Sequence, residues 1–105
     1  MPGLVPTPLG EHVEAAIDIL GNRTRVAILG HLKAHGPAVR GDIATALSLV
    51  PSSVSNQLTV LLDAGVITTD PPEGQIRPGS RVLYSVVPER VEELYRTLGA
   101  ALRVD

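Results

Sequence analysis

The chain has 105 residues, 44% of them hydrophobic, which suits one small domain with its own core. It has no cysteine, which excludes disulfides, thiolate metal sites and a catalytic thiol, and no apolar run approaches the ~20 residues of a membrane span. Two tyrosines are the only aromatic residues, so stacking of single-stranded bases on an aromatic platform is not expected.

The net charge of −2 is distributed unevenly along the chain. Residues 11–18 and 89–105 together hold seven acids and three bases, whereas residues 19–62 hold four bases and one acid. Arg77 and Arg81 lie in residues 75–88, which contain no acid. A basic middle between acidic ends favours a DNA-facing centre, although ordinary mixed surface charge explains the pattern equally well.

Residues 1–8 are rich in proline and lack both the basic start and the apolar run of a signal peptide. We expect them to form a flexible arm of a cytoplasmic protein. A single domain would then cover residues 9–105.

Three helices are predicted in the first half of the chain, over residues 9–20, 23–35 and 40–47. Gly21 ends the first helix, Asn22 is a good N-cap for the second, and Gly36-Pro37 ends the second. The apolar stripe of the first helix consists of Val13, Ala16, Ile17 and Leu20.

Residues 51–64 predict the helix around which the rest of the chain is organised. Pro51 suits the first helical position, and Gly65 suits a left-handed cap after the last turn. The inward face consists of Val54, Leu58, Leu61 and Leu62, and the opposite face of Ser52, Ser53, Asn56 and Thr59. A short helix, a turn over residues 48–50 and this amphipathic helix form a helix-turn-helix pattern.

The periodicity changes after Gly65. Residues 66–69 and 81–87 are rich in β-branched residues and predict two strands, joined by a tip with three prolines and two glycines. This hairpin is a wing over residues 66–87, and a last helix follows over about 89–103. The predicted fold class is mainly α with a small β-hairpin (α+β), a winged helix-turn-helix between N- and C-terminal dimerisation helices. The predicted dimer interface consists of Val13, Ile17, Leu20, Val91, Leu94, Tyr95, Leu98 and Leu102.

Three blocks of the chain resemble the ArsR-type winged-helix repressors in motif and spacing. They are LGNRTRVAIL at residues 20–29, VSNQLTVLLDAGVI at 54–67 and RVLY at 81–84. The resemblance covers about residues 10–102. It implies a homodimer joined through the first and last helices, with one recognition helix per subunit in the major groove and the wings on adjacent backbone or minor groove.

The chain departs from that family at its usual metal sites. Some members place cysteines at the start of the helix before the recognition helix, where residues 38–43 offer no ligand here. Others use Asp and His on the last helix, which has Glu89, Glu92 and Glu93 but no histidine. His31 and His35 have metal-binding spacing without a third ligand nearby, so a solvated or packing role is favoured. We predict no metal and no cofactor. No motif in the sequence identifies an effector.

No lysine or arginine occurs in residues 41–76, so base readout would depend on neutral groups. Asn56 or Gln57 can contact adenine bidentately, and hydroxyls can bond bases or phosphates, although serines also favour helix starts as caps. The candidate hydroxyls are Ser52, Ser53, Ser55 and Thr59. The candidate phosphate contacts are Arg40, Arg77 and Arg81, whereas Arg25 is expected to be structural.

These features predict a sequence-specific regulator of double-stranded DNA, most simply a homodimeric repressor without the usual metal switch. No catalytic triad or phosphate-binding glycine motif supports an enzyme. Two alternatives stay open at this point, a DNA-architectural or recombination accessory protein and a winged-helix module that binds proteins.

Overall fold

The helices and strands follow the order that the sequence predicts. The computed structural model describes residues 9–104, so the predicted arm at residues 1–8 lies outside the described residues. The elements are α1 (Gly10–Leu20), α2 (Arg23–His35), α3 (Arg40–Leu47), α4 (Pro51–Asp63), β1 (Ile67–Asp70), β2 (Leu83–Val86) and α5 (Pro88–Ala101). A 3-10 turn, Glu73–Gln75, lies in the hairpin tip. The predicted winged helix-turn-helix fold is confirmed.

The caps expected from the sequence form. Asn22 Oδ1 accepts a hydrogen bond of 3.0 Å from the backbone N–H of Arg25 at the start of α2. At the end of α4, Gly65 has a φ of +76°, and its N–H donates to Leu62 O while Val66 N–H donates to Leu61 O. This is a Schellman motif, and the buried Val66 leads directly into β1.

Strand β2 of the wing is hydrogen-bonded on both of its sides. β1 and β2 are antiparallel, with Ile67 opposite Val86 and Asp70 opposite Leu83. On its other side, β2 forms an isolated bridge to the linker between α2 and α3, with Ala38 N–H to Tyr84 O at 3.1 Å and Tyr84 N–H to Ala38 O at 2.8 Å. The wing and the helix-turn-helix are therefore joined by backbone hydrogen bonds.

A second backbone joint connects the end of α4 with the start of α5. Val87 N–H donates to Val66 O over 2.8 Å, and Arg90 Nε donates to Ala64 O over 3.2 Å. The two residues on the α4 side are the C-cap and the second residue after it. Helix α4 thus ends directly against the start of α5.

One hydrophobic core runs through all five helices of the described residues and β1. Most of its fully buried side chains come from α2, α3, α4 and the start of the wing, and α1 and α5 pack on each other over its edge. The largest of them are Ile28, Leu32, Ile43, Val54, Leu58, Leu61 and Val66.

The predicted stripes of α1 and α5 divide between the core and the surface. Ala16 and Ile19 of α1 are buried against their own chain, whereas Ile17 remains 40% exposed. On α5, Leu94 is only 3% exposed. Leu94 was expected at the surface between two chains and is instead a core residue of its own chain, because α1 and α5 already pack on each other.

None of the helices in residues 9–104 combines the length and the apolar character needed to cross a membrane.

Candidate nucleic-acid interface

Helix α4 is held on both flanks by arginines of the two preceding helices. From α2, Arg25 Nε donates to Gln57 Oε1 over 2.8 Å. From α3, Arg40 Nη1 donates to Ser55 Oγ over 3.0 Å. Gln57 and Ser55 lie two residues apart, so they are on opposite sides of the helix. The strip between them faces away from the core.

The bond from Arg25 changes the expected role of Gln57. A bidentate contact with adenine uses both the carbonyl oxygen and the amino group of a free amide. The oxygen of Gln57 already accepts from Arg25, and the side chain is half-buried. In this structure the amide of Gln57 is therefore engaged within the protein, where it links α4 to α2, and its contact with adenine stays a prediction.

Arg25 itself has the structural role expected of it. Its Nη1 donates to Asp18 O at 2.7 Å and to Asp18 Oδ1 at 3.1 Å, and its side chain is only 14% exposed. Together with the bond to Gln57, these contacts form a polar chain from α1 through α2 to α4.

Ser55 and Thr59 are already used inside the protein. Ser55 Oγ donates to Pro51 O over 3.1 Å and also accepts from Arg40. Thr59 Oγ1 donates to Ser55 O over 3.2 Å, which leaves its hydroxyl able only to accept. The Ser55 hydroxyl therefore has its proton and one of its two acceptor positions occupied within the protein, and its contact with DNA stays a prediction.

Ser52, Ser53 and Asn56 form the free polar strip of α4. All three are exposed, and none of their side chains makes a hydrogen bond with another residue of the described chain. The serines do not cap the helix. The N-cap position is occupied by Val50, and no side chain makes a capping hydrogen bond at the start of α4. Val50 is itself 65% exposed at the start of α4, an apolar group that the search for polar side chains overlooked.

The basic residues divide into paired and unpaired sets. Arg25, Arg90 and Arg96 form ion pairs with Asp18, Glu93 and Glu92. Within residues 9–104, no ion pair engages the three arginines proposed for phosphate contact. Those unpaired arginines are Arg40, Arg77 and Arg81.

Arg40 and Arg81 border the same cleft, although they are far apart in sequence. The cleft has a volume of about 630 Å³ and lies between the start of α3 and the base of the wing; we call it the wing cleft. It is lined by residues 39–42, 80–82 and Tyr84. Arg77 lies farther out, in the tip, where its backbone N–H donates to Ser80 Oγ over 3.2 Å.

Acidic side chains lie beside this basic surface. Asp42 lines the wing cleft with the two arginines. Asp63 is exposed at the end of α4, seven residues after Asn56 and therefore on the same face. Both carboxylates oppose the approach of a polyanion, which the sum of charges by segment does not reveal.

His31 and His35 lie close together, with ring centroids 4.7 Å apart. Across residues 9–104, no group of three or more His, Cys, Asp or Glu side chains is arranged to hold a metal ion. The histidine pair therefore gains no third ligand from the fold within that range.

Comparison with known proteins indicates which class of protein this chain is similar to. A family model described as a helix-turn-helix domain matches residues 20–70, which run from the end of α1 to the end of β1. The crystal structure of the AntR antimony-specific transcriptional repressor is similar at 26% identity and a TM-score of 0.64, over 98% of this chain and 93% of that one. The chain has a winged helix-turn-helix fold similar to that of ArsR-type regulators.

Two further structures are similar to this chain. One is the homodimeric winged helix-turn-helix DNA-binding domain of Mb0332 from Mycobacterium bovis, a possible ArsR-family regulator. It is 26% identical, with a TM-score of 0.61, over 88% of this chain and 79% of that one. The other is the crystal structure of an ArsR family transcriptional regulator. It is 22% identical, with a TM-score of 0.66, over 90% of this chain and 96% of that one, and it supports the fold alone. Comparison with curated proteins gave no match.

The coarse function follows from this class. The chain is a DNA-binding winged-helix transcriptional regulator. The polar strip of α4, the unpaired arginines and the wing are the surfaces on which its DNA contacts are best sought.

Proposed function

We propose that this regulator is a homodimeric, sequence-specific repressor that reads its operator with the free polar strip of α4. The observation that carries the proposal is the arrangement around α4. Arginines fix both flanks of the helix, while Ser52, Ser53 and Asn56 face outward with their hydrogen-bonding groups unused. A fixed helix with free donors and acceptors on its outer face is suited to direct readout in the major groove.

Asn56 is the proposed principal reader. Its amide can accept from adenine N6 and donate to adenine N7 at the same time. Ser52 and Ser53 add contacts to bases or phosphates at the start of the helix, and Thr59 can accept one further hydrogen bond. The exposed Val50 suits an apolar contact with a thymine methyl group.

Arginines outside α4 would supply the affinity for the DNA backbone. Arg40, Arg77 and Arg81 are free of ion pairs with described carboxylates and lie on α3 and the wing. Neutralising phosphates releases counterions, which makes such binding strongly dependent on salt. Because the dimer would carry a net charge of about −4 by doubling the chain's charge, we expect modest affinity that falls steeply with salt.

Exposed apolar side chains on α1 and α5 support the dimer. Ile17, Tyr95 and Leu102 are 40%, 68% and 65% exposed, which is costly for a lone chain in water. Half-buried neighbours extend the same surface, namely Val13, Leu20, Val91 and Leu98. An apolar groove of about 440 Å³ continues it and includes Leu20, Val91 and Tyr95. The Mycobacterium bovis domain is described as homodimeric.

We propose a regulator without the metal switch of its class. The antimony specificity of AntR is not extended to this chain, because a soft metalloid ion favours thiolate ligands and the sequence contains no cysteine. Titration calorimetry with Zn²⁺ tests the histidine pair. Tight stoichiometric binding that is lost in the His31→Ala variant would contradict the proposal.

Selection of bound duplexes from a random DNA pool tests the proposed function. A dimeric repressor is expected to enrich an inverted repeat whose half-sites lie about one helical turn apart. Enrichment of tandem sites would instead favour an architectural role. If nothing is enriched above a non-binding control, a protein partner for α4 becomes the better hypothesis.

Sedimentation velocity tests the dimer separately. Leu102→Glu places a charge in the proposed interface and is expected to yield monomers at concentrations where the native chain is dimeric. Ile76→Glu adds the same charge at an apolar side chain of the wing tip that is 40% exposed, and it should leave the dimer intact. Equal behaviour of both variants would contradict the assigned interface.

A further inference from the structure

We infer that Arg40 and Arg81 bind one and the same phosphate of the DNA backbone, which lies in the mouth of the wing cleft. This inference deepens the proposed function and rests on it. It replaces two independent backbone contacts with one site built from two elements, the start of α3 and the base of the wing.

The first support is that one cleft is bordered by both arginines. Residues 39–42 form one wall and residues 80–82 with Tyr84 form the other. The walls are joined by the two hydrogen bonds between Ala38 and Tyr84, of 3.1 and 2.8 Å. The width of the cleft is therefore set by backbone bonding before DNA arrives.

The second support is the state of the two guanidinium groups. Arg40 Nη1 donates a hydrogen bond to Ser55 Oγ. This neutral acceptor orients the arginine side chain and leaves its charge and its remaining N–H groups available. Arg81 has no hydrogen bond or ion pair with any side chain of residues 9–104. Guanidinium groups match the oxygens of a phosphate in geometry and charge, and two of them can share one phosphate.

The third support is the balance of charge in the cleft. Two arginines face one carboxylate, that of Asp42, so the lining residues carry one net positive charge. A phosphodiester carries one negative charge and completes the balance. Arg77 lies outside this lining, at the wing tip, and is expected to contact a different phosphate.

A double-mutant cycle on a duplex enriched from a random pool tests the shared site. Arg40→Gln and Arg81→Gln are each expected to weaken binding about tenfold, the typical value of a hydrogen bond to a charged group. If they share one phosphate, the double variant loses clearly less than the roughly hundredfold product that independent contacts give. The matched cycle of Arg40→Gln with Arg77→Gln is expected to give the product. All three side chains are exposed, so circular dichroism should be unchanged.

Neutral methylphosphonate substitutions along the same duplex locate the phosphate. At one position in each half-site, the neutral linkage should remove the difference between the native protein and both the Arg40→Gln and Arg81→Gln variants. Mapping of the two arginines to different positions, or losses that multiply in the cycle, would overturn the shared site while leaving the proposed function in place. A pool without any enriched duplex would overturn the proposed function, and the shared site with it.

Discussion

Arg25 Nε donates to the side-chain oxygen of Gln57 over 2.8 Å, and this bond joins the second helix to the recognition helix. The side chain of Arg25 is 14% exposed and its guanidinium also binds Asp18, so the residue occupies a largely buried position between three helices. A charge in such a position depends on each of its acceptors. The orientation of α4 is thus tied to a polar chain that does not touch DNA.

Gln57→Ala is expected to lower the free energy of unfolding by about 1–2 kcal/mol, because Arg25 Nε loses its partner in a largely buried position. Urea denaturation measures the change. Gln57→Glu restores an acceptor and should recover most of the stability. If Gln57→Ala is as stable as the native chain, the bond does not anchor α4.

Asn56→Ala is expected to leave stability within about 0.5 kcal/mol, because the side chain is exposed and bonded to no other described side chain. It should relax base preference at one position of each half-site, where a bidentate contact contributes about 1–3 kcal/mol of discrimination. Competition binding with single-base variants of the selected duplex measures this. A uniform loss on specific and random DNA would contradict direct readout by Asn56.

Asp42→Asn is expected to strengthen DNA binding about two- to fivefold, because it removes the negative charge from the wing cleft. The gain should shrink as salt rises, since screening weakens the repulsion. Stability should fall slightly, by about 0.3–1 kcal/mol, because Asp42 lies in the first turn of α3. Glu89→Gln, the same charge change on α5, should leave affinity nearly unchanged; an equal gain there would indicate a general charge effect.

Ser48→Gly is expected to raise the free energy of unfolding by about 0.5–1 kcal/mol. Ser48 ends α3 with a φ of 56°, in the left-handed region where a β-carbon is strained. Thermal denaturation of Ser48→Gly beside Ser48→Ala isolates the backbone effect, since alanine keeps the strain. The prediction fails if both variants change stability equally.

Thr69→Val is expected to stabilise the protein by about 1 kcal/mol. Thr69 Oγ1 is buried in β1 without a hydrogen-bond partner, so its hydroxyl has lost water and gained nothing in the described chain. Thr68→Val on the exposed side of the same strand is the matched control and should change stability little. Destabilisation by Thr69→Val would show that the hydroxyl is satisfied.

Local signals were sufficient for most of the fold. The predicted bounds of α2 and α3 coincide with those observed, because Asn22, Gly36 and the apolar spacing act within a few residues of sequence. Residues whose partners are distant could not be assigned in this way. The predicted α1 stripe does not include Ile19, whose burial in the core depends on how α1 packs against the rest of the chain.

The same distinction applies to the candidate site. The outward strip of α4 followed from helical periodicity, and Ser52, Ser53 and Asn56 are exposed as expected. Gln57 looked equally free in sequence, since its partner Arg25 lies 32 residues away. The cleft shared by Arg40 and Arg81 depends on the Ala38–Tyr84 bridge, a single pairing within an irregular linker that has no periodic signal.

The joint between α4 and α5 has a consequence for operator geometry. Val66 and Ala64 accept hydrogen bonds from Val87 and Arg90. The end of α4 is therefore fixed to the start of α5, the helix proposed to form the dimer. In that dimer, the packing of the two α5 helices would set the distance between the two copies of α4. Changes in that packing would then alter the number of base pairs between half-sites and leave the sequence read within each half-site unchanged.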